Sequence, residues 1–487
     1  MVLDSDKRAS PRQSSPVRMA CTKRATLGRP SRRTATVGME FGIPLYAEPR
    51  VIIEPTSVPL APGRIVLLLG PSGSGKTSAL AAIERQRGGG VVVDRVRFDA
   101  DRAIVDAIAP AQPLGEALGV LSACALGEPA LWIRRFHELS DGERFRARLA
   151  RAISLHRRGT VSAPLLCDEF CSVLHRRVAK AISFNLRKIV SRDGLSAVVA
   201  GSNDDIVADL RPDVIVRLTG RGMCCVEPRE WRRRSRPTFA TRPRIEAGSL
   251  RDYAAFSQMH YRSTDQLALV DKVFVMSEGP TDDPLGIVVY GYSPLELSLR
   301  RKATDGRFTG NPARLNRSFR ILRRLVVHPD VRGCGLGHYL VRKTLPMVGT
   351  KFVECLATMG EINPVFEKAG MKRIGRYDVQ PARQKAMDAL RALDVCPSSR
   401  EFPGKVCRSR RVRAIVARVV HDWYRATTSE PDVRMGRQSP HQLAEIFRGL
   451  IGLRPVYYLW QRPTRRPAAA RRPARSRKTK AKGKPEG

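Results

Sequence analysis

The sequence predicts an α/β protein of two units, and three observations carry that prediction. An apolar run, "GRIVLLLG" (63–70), leads straight into the glycine loop "PSGSGKTSAL". Far downstream a second apolar run, "ILRRLVVHP" (321–329), leads into "DVRGCGLGHYL". Around both loops short apolar runs alternate with amphipathic stretches and turn signals, which is the pattern of strands and helices in turn. At roughly 100–200 residues per domain, 487 residues suit two or three domains. A hydrophobic content of 42% suffices for buried cores.

The formal net charge is +41, from 87 Lys+Arg against 46 Asp+Glu. Such a balance favours polyanions, and nucleic acid is the first partner it suggests. Residues 1–37 and 462–487 are rich in Arg, Lys, Pro, Ser and Ala and read as disordered basic tails. "WRRRSRP" (231–237) and "RSRRVRAIVAR" (408–418) lie inside the body, so the charge is not confined to the tails. Ten scattered cysteines show no CxxC pair and no Cys/His ligand spacing, which argues against a zinc site and a disulfide framework. Reduced thiols in a cytoplasm fit best. No apolar run approaches the ~18–20 residues of a membrane span, and "MVLDSDKR" has no apolar core for a signal peptide. A cytoplasmic location without membrane insertion is expected.

The first unit is expected over 38–228. Gly70, Pro71, Ser72, Gly73, Ser74, Gly75, Lys76 and Thr77 fill every fixed position of GxxxxGK[ST]. Glycines there let backbone N–H groups face phosphates, and the helix start, with Ser78, adds its dipole. Lys76 is expected on the β/γ-phosphates of ATP and Thr77 on Mg²⁺. In "APLLCDEF" (163–170) an apolar strand ends in Asp168, placed to hold Mg²⁺, and Glu169, placed to polarise an attacking water.

Between these motifs lies "ELSDGERFRARLARAI" (138–153). Here the chain resembles the ABC-type ATPases, whose LSGGQ signature is matched by Leu139, Ser140, Asp141, Gly142 and Glu143. The resemblance implies a homodimer paired head to tail through the ATPase domains. In it Ser140, Gly142 and Glu143 of one copy complete the ATP site of the other. It also implies roles for Gln112 in "APAQPL", as the glutamine that senses the γ-phosphate and Mg²⁺, and for Tyr46, as the aromatic stacked on adenine. Tyr46 could equally be core or surface. His175 stands where the family carries Asp. Asn203, in "VVAGSNDD", stands where it carries the switch histidine. An amide bonds a phosphate but carries no charge and shuttles no proton, so slow hydrolysis and a clamp-like use of ATP are expected. The stretch from Gln112 to the signature is short, leaving little helical arm for gripping a permease. An ABC transporter ATP-binding subunit stays an alternative.

Residues 229–247 are dominated by Arg and Pro and read as a linker or basic strap. The second unit is expected over 248–461. "KVFVMSEG" and "LGIVVYGYS" read as strands around a "PTDDP" turn. Strand, loop and helix come next, then strand, helix and strand. "VVHPDVRGCGLG" resembles the acyl-CoA loop R/Q-x-x-G-x-G/A of the GNAT acyltransferases, with Arg332, Gly335 and Gly337 in place. "NPVFEKAGM" (363–371) resembles that family's later helix-and-strand motif. The resemblance implies that backbone N–H groups through Arg332, Gly333, Cys334, Gly335, Leu336 and Gly337 hold the pyrophosphate of acetyl-CoA. It implies that Leu325, Val326 and Val327 splay from the neighbouring strand to bind pantetheine and polarise the thioester. Asn363 would orient the cofactor. Phe366 stands where many members carry a tyrosine acid, and it has no proton to donate. His328, Glu354 and Glu361 are the nearby titratable candidates for acid–base work, Glu354 and His328 being favoured. Each also reads as an ordinary surface residue. A helical insertion is expected at about 376–450, with "RPVYYLWQ" (454–461) closing the sheet.

The whole arrangement, over about 38–380, resembles prokaryotic ABC-type ATPases fused to a predicted acetyltransferase. It implies a soluble ATPase coupled to an acetyl-CoA-dependent N-acetyltransferase, with the charge adding nucleic acid as partner or acceptor. An ATP-regulated protein acetyltransferase and a non-catalytic nucleic-acid clamp are the remaining alternatives. Neither the acceptor nor the acyl chain is named by the sequence.

Overall fold

The computed structural model describes residues 16–24, 29–45, 49–158, 163–220, 222–259, 267, 269–279, 284–378, 380–451 and 454–463. Two sheets organise them, each backed by its own helices, and a small ribbon covers the first.

The ribbon pairs β1 (Val17–Arg24) antiparallel with β2 (Pro49–Val58). The main sheet of the first unit contains β3 (Ile65–Leu69), β4 (Val91–Val92), β5 (Leu165–Cys167), β6 (Ala197–Gly201), β7 (Val214–Leu218) and β8 (Cys224–Pro228). Their order is β4-β5-β6-β3-β7-β8. All neighbours are parallel except β7–β8, which are antiparallel. Strands β3, β5 and β6 are buried along their whole length. A parallel sheet covered on both faces needs such unbroken apolar runs. Because β3, β5 and β6 run together, the residues just past their C-terminal ends share one edge of the sheet.

The second sheet contains β9 (Arg244–Gly248), β10 (Val270–Ser277), β11 (Pro284–Gly291), β12 (Phe319–Val327), β13 (Phe352–Ala357), β14 (Lys372–Arg376) and β15 (Val456–Gln461). Their order is β14-β15-β13-β12-β11-β10-β9. Only β12 and β13 are parallel among these described pairs, and they pair at four positions, Phe319↔Phe352 to Leu322↔Cys355. On its other side β12 has Leu322 opposite Tyr290 and Arg324 opposite Val289, which leaves Arg323 as an extra bulged residue. A bulge bends and twists its strand. Past it, Leu325–Val327 stay with β11 while β13 departs, so the sheet opens as a V.

The chain returns to fill the sheet after a helical insertion, with β15 placed between β13 and β14. The insertion comprises helices Pro381–Ala392, Phe402–Arg408, Arg410–Thr427, Pro431–Gly436 and Pro440–Ile451. It has its own core, in which Phe402, Val416, Val420 and Phe447 are fully buried. In Arg410–Thr427 the buried Val412, Val416, Val419, Val420 and Tyr424 recur at helical spacing. Arg410, Arg411, Arg418 and Arg425 remain exposed on the opposite face.

Two expectations need correction. Residues 1–37 are not wholly tail, since they contain β1 and most of the helix Arg32–Phe41. Val17, Met19 and Cys21 alternate inward on β1 and are buried, and Arg18 between them, together with Lys23 and Arg24 after them, hides this period of two. Likewise the expected linker contains β9, an edge strand too short to stand out. Its middle is pinned rather than free. Trp231 Nε1 donates to Pro212 O (2.8 Å), and the Thr238 N–H and hydroxyl donate to the buried Asp209 carboxylate (2.7 and 2.6 Å). The expected C-terminal tail beyond 463 lies outside the described residues. Among the described residues, no helix is long and apolar enough to cross a membrane.

Phe447 meets Phe402 with ring centroids 5.9 Å apart. Phe447→Ala should lower the stability of the insertion by about 3–5 kcal/mol, read as a shifted urea midpoint in tryptophan fluorescence, since Trp423 packs against the same core.

Candidate functional site

Two glycine loops have nearly the same backbone. In the first, Gly73 and Gly75 have φ of 79° and 98°. In the second, Gly333 and Gly335 have φ of 84° and 87°. Left-handed residues two apart are cheap only for glycine. Gly75 and Gly335 each sit at the N-cap of the next helix, Lys76–Gln86 and Leu336–Thr344. Such helix starts present N–H groups that have no intrahelical acceptor.

Around the first loop the side chains are those of a triphosphate site. Lys76 is buried, and its Nζ donates to Gly70 O and Pro71 O, both at 2.9 Å. It lies 4.0 Å from Glu169 Oε1. Thr77 Oγ1 donates to Asp168 Oδ2 (2.5 Å). Ser74 is buried inside the loop with its hydroxyl unpartnered. Glu169 has φ of 43°, and its exposed carboxylate stands beside Asp168. The ribbon roofs this arrangement: a Cβ at Gly75 would stand 2.7 Å from Ile52 Cγ2.

Asp94 joins the site without having been anticipated. It comes just after β4, next to β5, and its carboxyl is held above the usual aspartate range by burial first and then by the charge of Asp168, against Arg148. Two adjacent strands thus end in acids, and the matching endings "VVVD" and "LLCD" are the signal that could have revealed it. A hydroxyl bonded to one carboxylate, with a second carboxylate near enough to feel its charge, fits a hard divalent cation such as Mg²⁺. Gln112 lies in the turn between helices Ile104–Ile108 and Leu114–Ala123. Its Oε1 is buried and unpartnered.

The signature opens the helix Asp141–Arg158. Ser140 and Glu143 cap it reciprocally: Ser140 N–H donates to Glu143 Oε2 (2.9 Å) and Glu143 N–H to Ser140 Oγ (3.4 Å). Ser140 and Asp141 are exposed, and Gly142 fits beneath Leu174. Asn203 is exposed just past β6, between the ends of β3 and β5. His175 is exposed at the N-cap of helix Arg176–Asp193. Tyr46 lies outside the described residues.

The second loop borders a cavity of about 1820 Å³ between the two units. Its wall includes Leu325, Val326, Val327, Arg332, Gly333, Gly335, Leu336, Gly337, Asn363 and Phe366, so most of the residues expected here converge. Cys334 is buried behind the loop. Three differences stand out. The Arg332 guanidinium does not reach into the cavity as a phosphate ligand; it donates to Val327 O (2.9 Å), Gly127 O (2.8 Å) and Met259 O (2.8 Å). Glu354 is fully buried outside the cavity wall, where Arg300 Nη1 (3.1 Å) and Tyr457 OH (2.7 Å) donate to it. Burial raises its carboxyl pKa against both partners. Strand alternation explains its position, since Val353, Cys355 and Ala357 take the face toward the loop helix. His328 caps the turn Pro329–Val331, with Asp330 N–H donating to its Nδ1 (3.4 Å), and it too lies off the wall. Glu361 pairs with Arg373 at the surface.

His338 escapes the sequence reading. It lies on the cavity wall one residue past Gly337, with Cε1 2.9 Å from where a Gly335 Cβ would stand. It is held below the usual histidine range by burial first, then by Arg342, Lys368 and Lys188. A histidine in the first turn after a GxG loop is the signal that could have found it.

No family model matches the chain. The Fe(3+) ions import ATP-binding protein FbpC of Agrobacterium fabrum is 26% identical over 207 residues, which are 37% of this chain and 57% of that protein. The lipoprotein-releasing system ATP-binding protein LolD of Novosphingobium aromaticivorans is 29% identical over 202 residues, 34% of this chain and 87% of its own length. The chain thus spans little more than half the length of the iron-import relative. A dimeric post-hydrolysis ATP-binding cassette bound to ADP and Pi aligns with 45% of this chain and 99% of its own, at 17% identity and a TM-score of 0.34.

The raised Asp94 carboxyl has a consequence for stability. Below the ordinary value of 3.8 the group is protonated whether folded or not. As pH rises through the raised value, the folded chain must ionise a group it holds better protonated, and stability is lost. Asp94→Asn should therefore melt higher than the parent at pH 7 in EDTA without nucleotide, with the gap narrowing as pH falls toward 3.8.

Proposed function

Because the chain carries an ABC-type ATPase domain, we propose that it binds and slowly hydrolyses ATP as a head-to-tail dimer and that its second unit transfers an acyl group from acyl-CoA to an amine. In the first unit Lys76 and the loop N–H groups hold the phosphates, and the Ser74 hydroxyl gains a partner. Thr77, Asp168 and Asp94 are the groups that would hold Mg²⁺, which when bound neutralises phosphate charge. Glu169 orients the attacking water, and the exposed Ser140 end of the signature helix closes onto the partner's nucleotide. Asn203 supplies a hydrogen bond but no proton relay, which favours slow turnover. The proposed domains are 38–228 for the ATPase, joined by β1, and 248–461 for the transferase, joined by β9.

The observation that carries the acyl-transfer reading is the V between β12 and β13, opening beside a left-handed glycine loop. Past the bulge at Arg323, β12 is paired on one edge only. Backbone groups on the free edge can bond the pantetheine arm and polarise the thioester carbonyl. The loop N–H groups take the pyrophosphate. The amine nitrogen attacks the carbonyl carbon, the C–N bond forms as the C–S bond breaks, and the CoA thiolate leaves with a proton while the amine loses one. With Glu354 and His328 off the wall, the chain's contribution is orientation and carbonyl polarisation. The charge of +41 and the arginine face of helix Arg410–Thr427 favour nucleic acid as the bound polyanion or acceptor.

Glu169→Gln should keep ATP binding, slow hydrolysis by about 10²-fold or more, and accumulate an ATP-dependent dimer in size-exclusion chromatography. Unchanged hydrolysis would remove Glu169 from this role. Calorimetry should detect acetyl-CoA binding to the parent chain and lose it in Gly335→Val, whose side chain opposes both the left-handed φ and the His338 ring. A parent that binds no acyl-CoA sinks the transferase reading.

A further inference from the structure

The cavity beside the second loop is not closed by the second unit alone. Helices Leu114–Ala123 and Arg176–Asp193 of the first unit and the strap from Pro228 to Arg234 complete its wall. The contact is close: a Cβ on Gly333 would stand 2.5 Å from Ser122 O and 3.0 Å from Asn185 Nδ2.

This added wall is strongly cationic. Some of its cations already have carboxylate partners. Arg187 bonds Asp213 and Arg192 bonds Asp193, while Arg229 bonds Glu227. Lys188, Arg211, Arg233 and Arg234 form no ion pair among the described residues. Lys188 and Arg211 stand over the same Phe184 ring, at 5.2 and 5.9 Å from its centroid. Arg211 is 7% exposed, and its Nε is buried without a hydrogen-bond partner. Burial first, then the charges of Arg187, Arg234 and Arg233, act against its cation, and Asp209 acts in its favour. Asp209 is itself bonded to Thr238. On the other side Lys188 opens onto the cavity yet is crowded, and its ammonium is held below the usual lysine range by partial loss of water first. Cys334 acts in its favour, and Lys368 and Arg192 act against it. Cations gathered round a cavity with a buried donor unmet describe a site for a multiply charged anion.

Resting on the acyl-CoA reading of the second unit, we propose that Lys188, Arg211, Arg233 and Arg234 bind the nucleotide phosphates of the acyl-CoA, so that the ATPase unit and strap form half of the acyl-donor site. Lys188, facing Lys368 and His338 across the loop, serves the pyrophosphate. The Arg211–Arg233–Arg234 group serves the 3′-phosphate. The apolar end of the cavity, at Leu325, Val327 and Val365, takes the pantetheine arm. That combination of cationic and apolar wall favours acyl-CoA over a nucleic-acid backbone, which has no apolar arm to place.

The experiment is calorimetry on the full chain with CoA and with dephospho-CoA, which lacks only the 3′-phosphate. Arg233 and Arg234 are exposed, so Arg233→Ala/Arg234→Ala should fold, with circular dichroism as the check. The parent should prefer CoA by about tenfold. The double variant should lose that preference while binding dephospho-CoA as the parent does. Lys188→Ala should weaken both ligands. A double variant that keeps the full preference overturns this assignment and leaves the acyl-CoA reading standing. A parent that binds neither ligand overturns both. An oligoribonucleotide that displaces CoA, with equal losses for CoA and dephospho-CoA in the variants, would assign the cations to nucleic acid instead.

Discussion

The guanidinium of Arg332 is the tie on which the second site depends. It gathers three carbonyls from separate parts of the chain: Val327 at the open end of β12, Gly127 in the first unit and Met259 after the helix Leu250–Ser257. A planar fork of fixed donors suits this better than any lysine. Burial opposes a lone charge there. The balance favours keeping it because three half-buried carbonyls would otherwise lose their donor. The arginine therefore sets where the glycine loop stands against the first unit. Among its neighbours in sequence it reads as a phosphate ligand, and in the fold it is a bracket.

The two glycine loops share one backbone solution, which on the proposed function serves two ligands. Both place left-handed glycines two apart and end at a helix N-cap, so both present N–H groups to an anion. The residues just past each loop decide the difference. Lys76 and Thr77 add a cation and a hydroxyl at the first, where Asp168 and Asp94 converge. Leu336 and Gly337 add neither at the second, and its charge arrives from outside, through Lys368 and through the first unit. The first arrangement suits a phosphate chain that is cleaved with a divalent cation, the second one that is held.

Much of this is legible in the sequence because some motifs are local. The loop "GPSGSGKT", the acids after β5, the signature and the loop after β12 each depend on a few adjacent residues. The hidden features depend on alternation and on distance. Glu354 reads as a cavity acid until the pleat of β13 turns it away toward Arg300 and Tyr457. His328 reads the same way until the turn after β12 claims its ring nitrogen. Asp94 follows so short a strand that its "VVVD" ending gains meaning only beside "LLCD", once the parallel pairing of β4 with β5 is known. In β1 three basic residues stand against three buried ones and conceal a period of two. The strap between the units reads as a solvated linker because nothing local says that Asp209 and Pro212 pin it.

The same contacts place the two sites in one mechanical circuit. Arg146, on the signature helix, donates from Nε to Gly142 O and from Nη1 to Ala125 O. Asp330, in the turn before the second loop, acts on Arg146 through its charge. Two residues beyond Ala125, Gly127 O accepts from Arg332. The segment Ala125–Gly127 is thus held from the signature on one side and from the second loop on the other. Packed interiors respond to a shift by repacking rather than by stretching. In the proposed dimer, closure of the signature onto a partner's nucleotide would either carry Arg332 with it or break its bond to Gly127. Either outcome would change the wall of the cavity, so on the proposed function occupancy of the first site and affinity at the second would be linked, and by the reciprocity of binding free energies the linkage would run both ways.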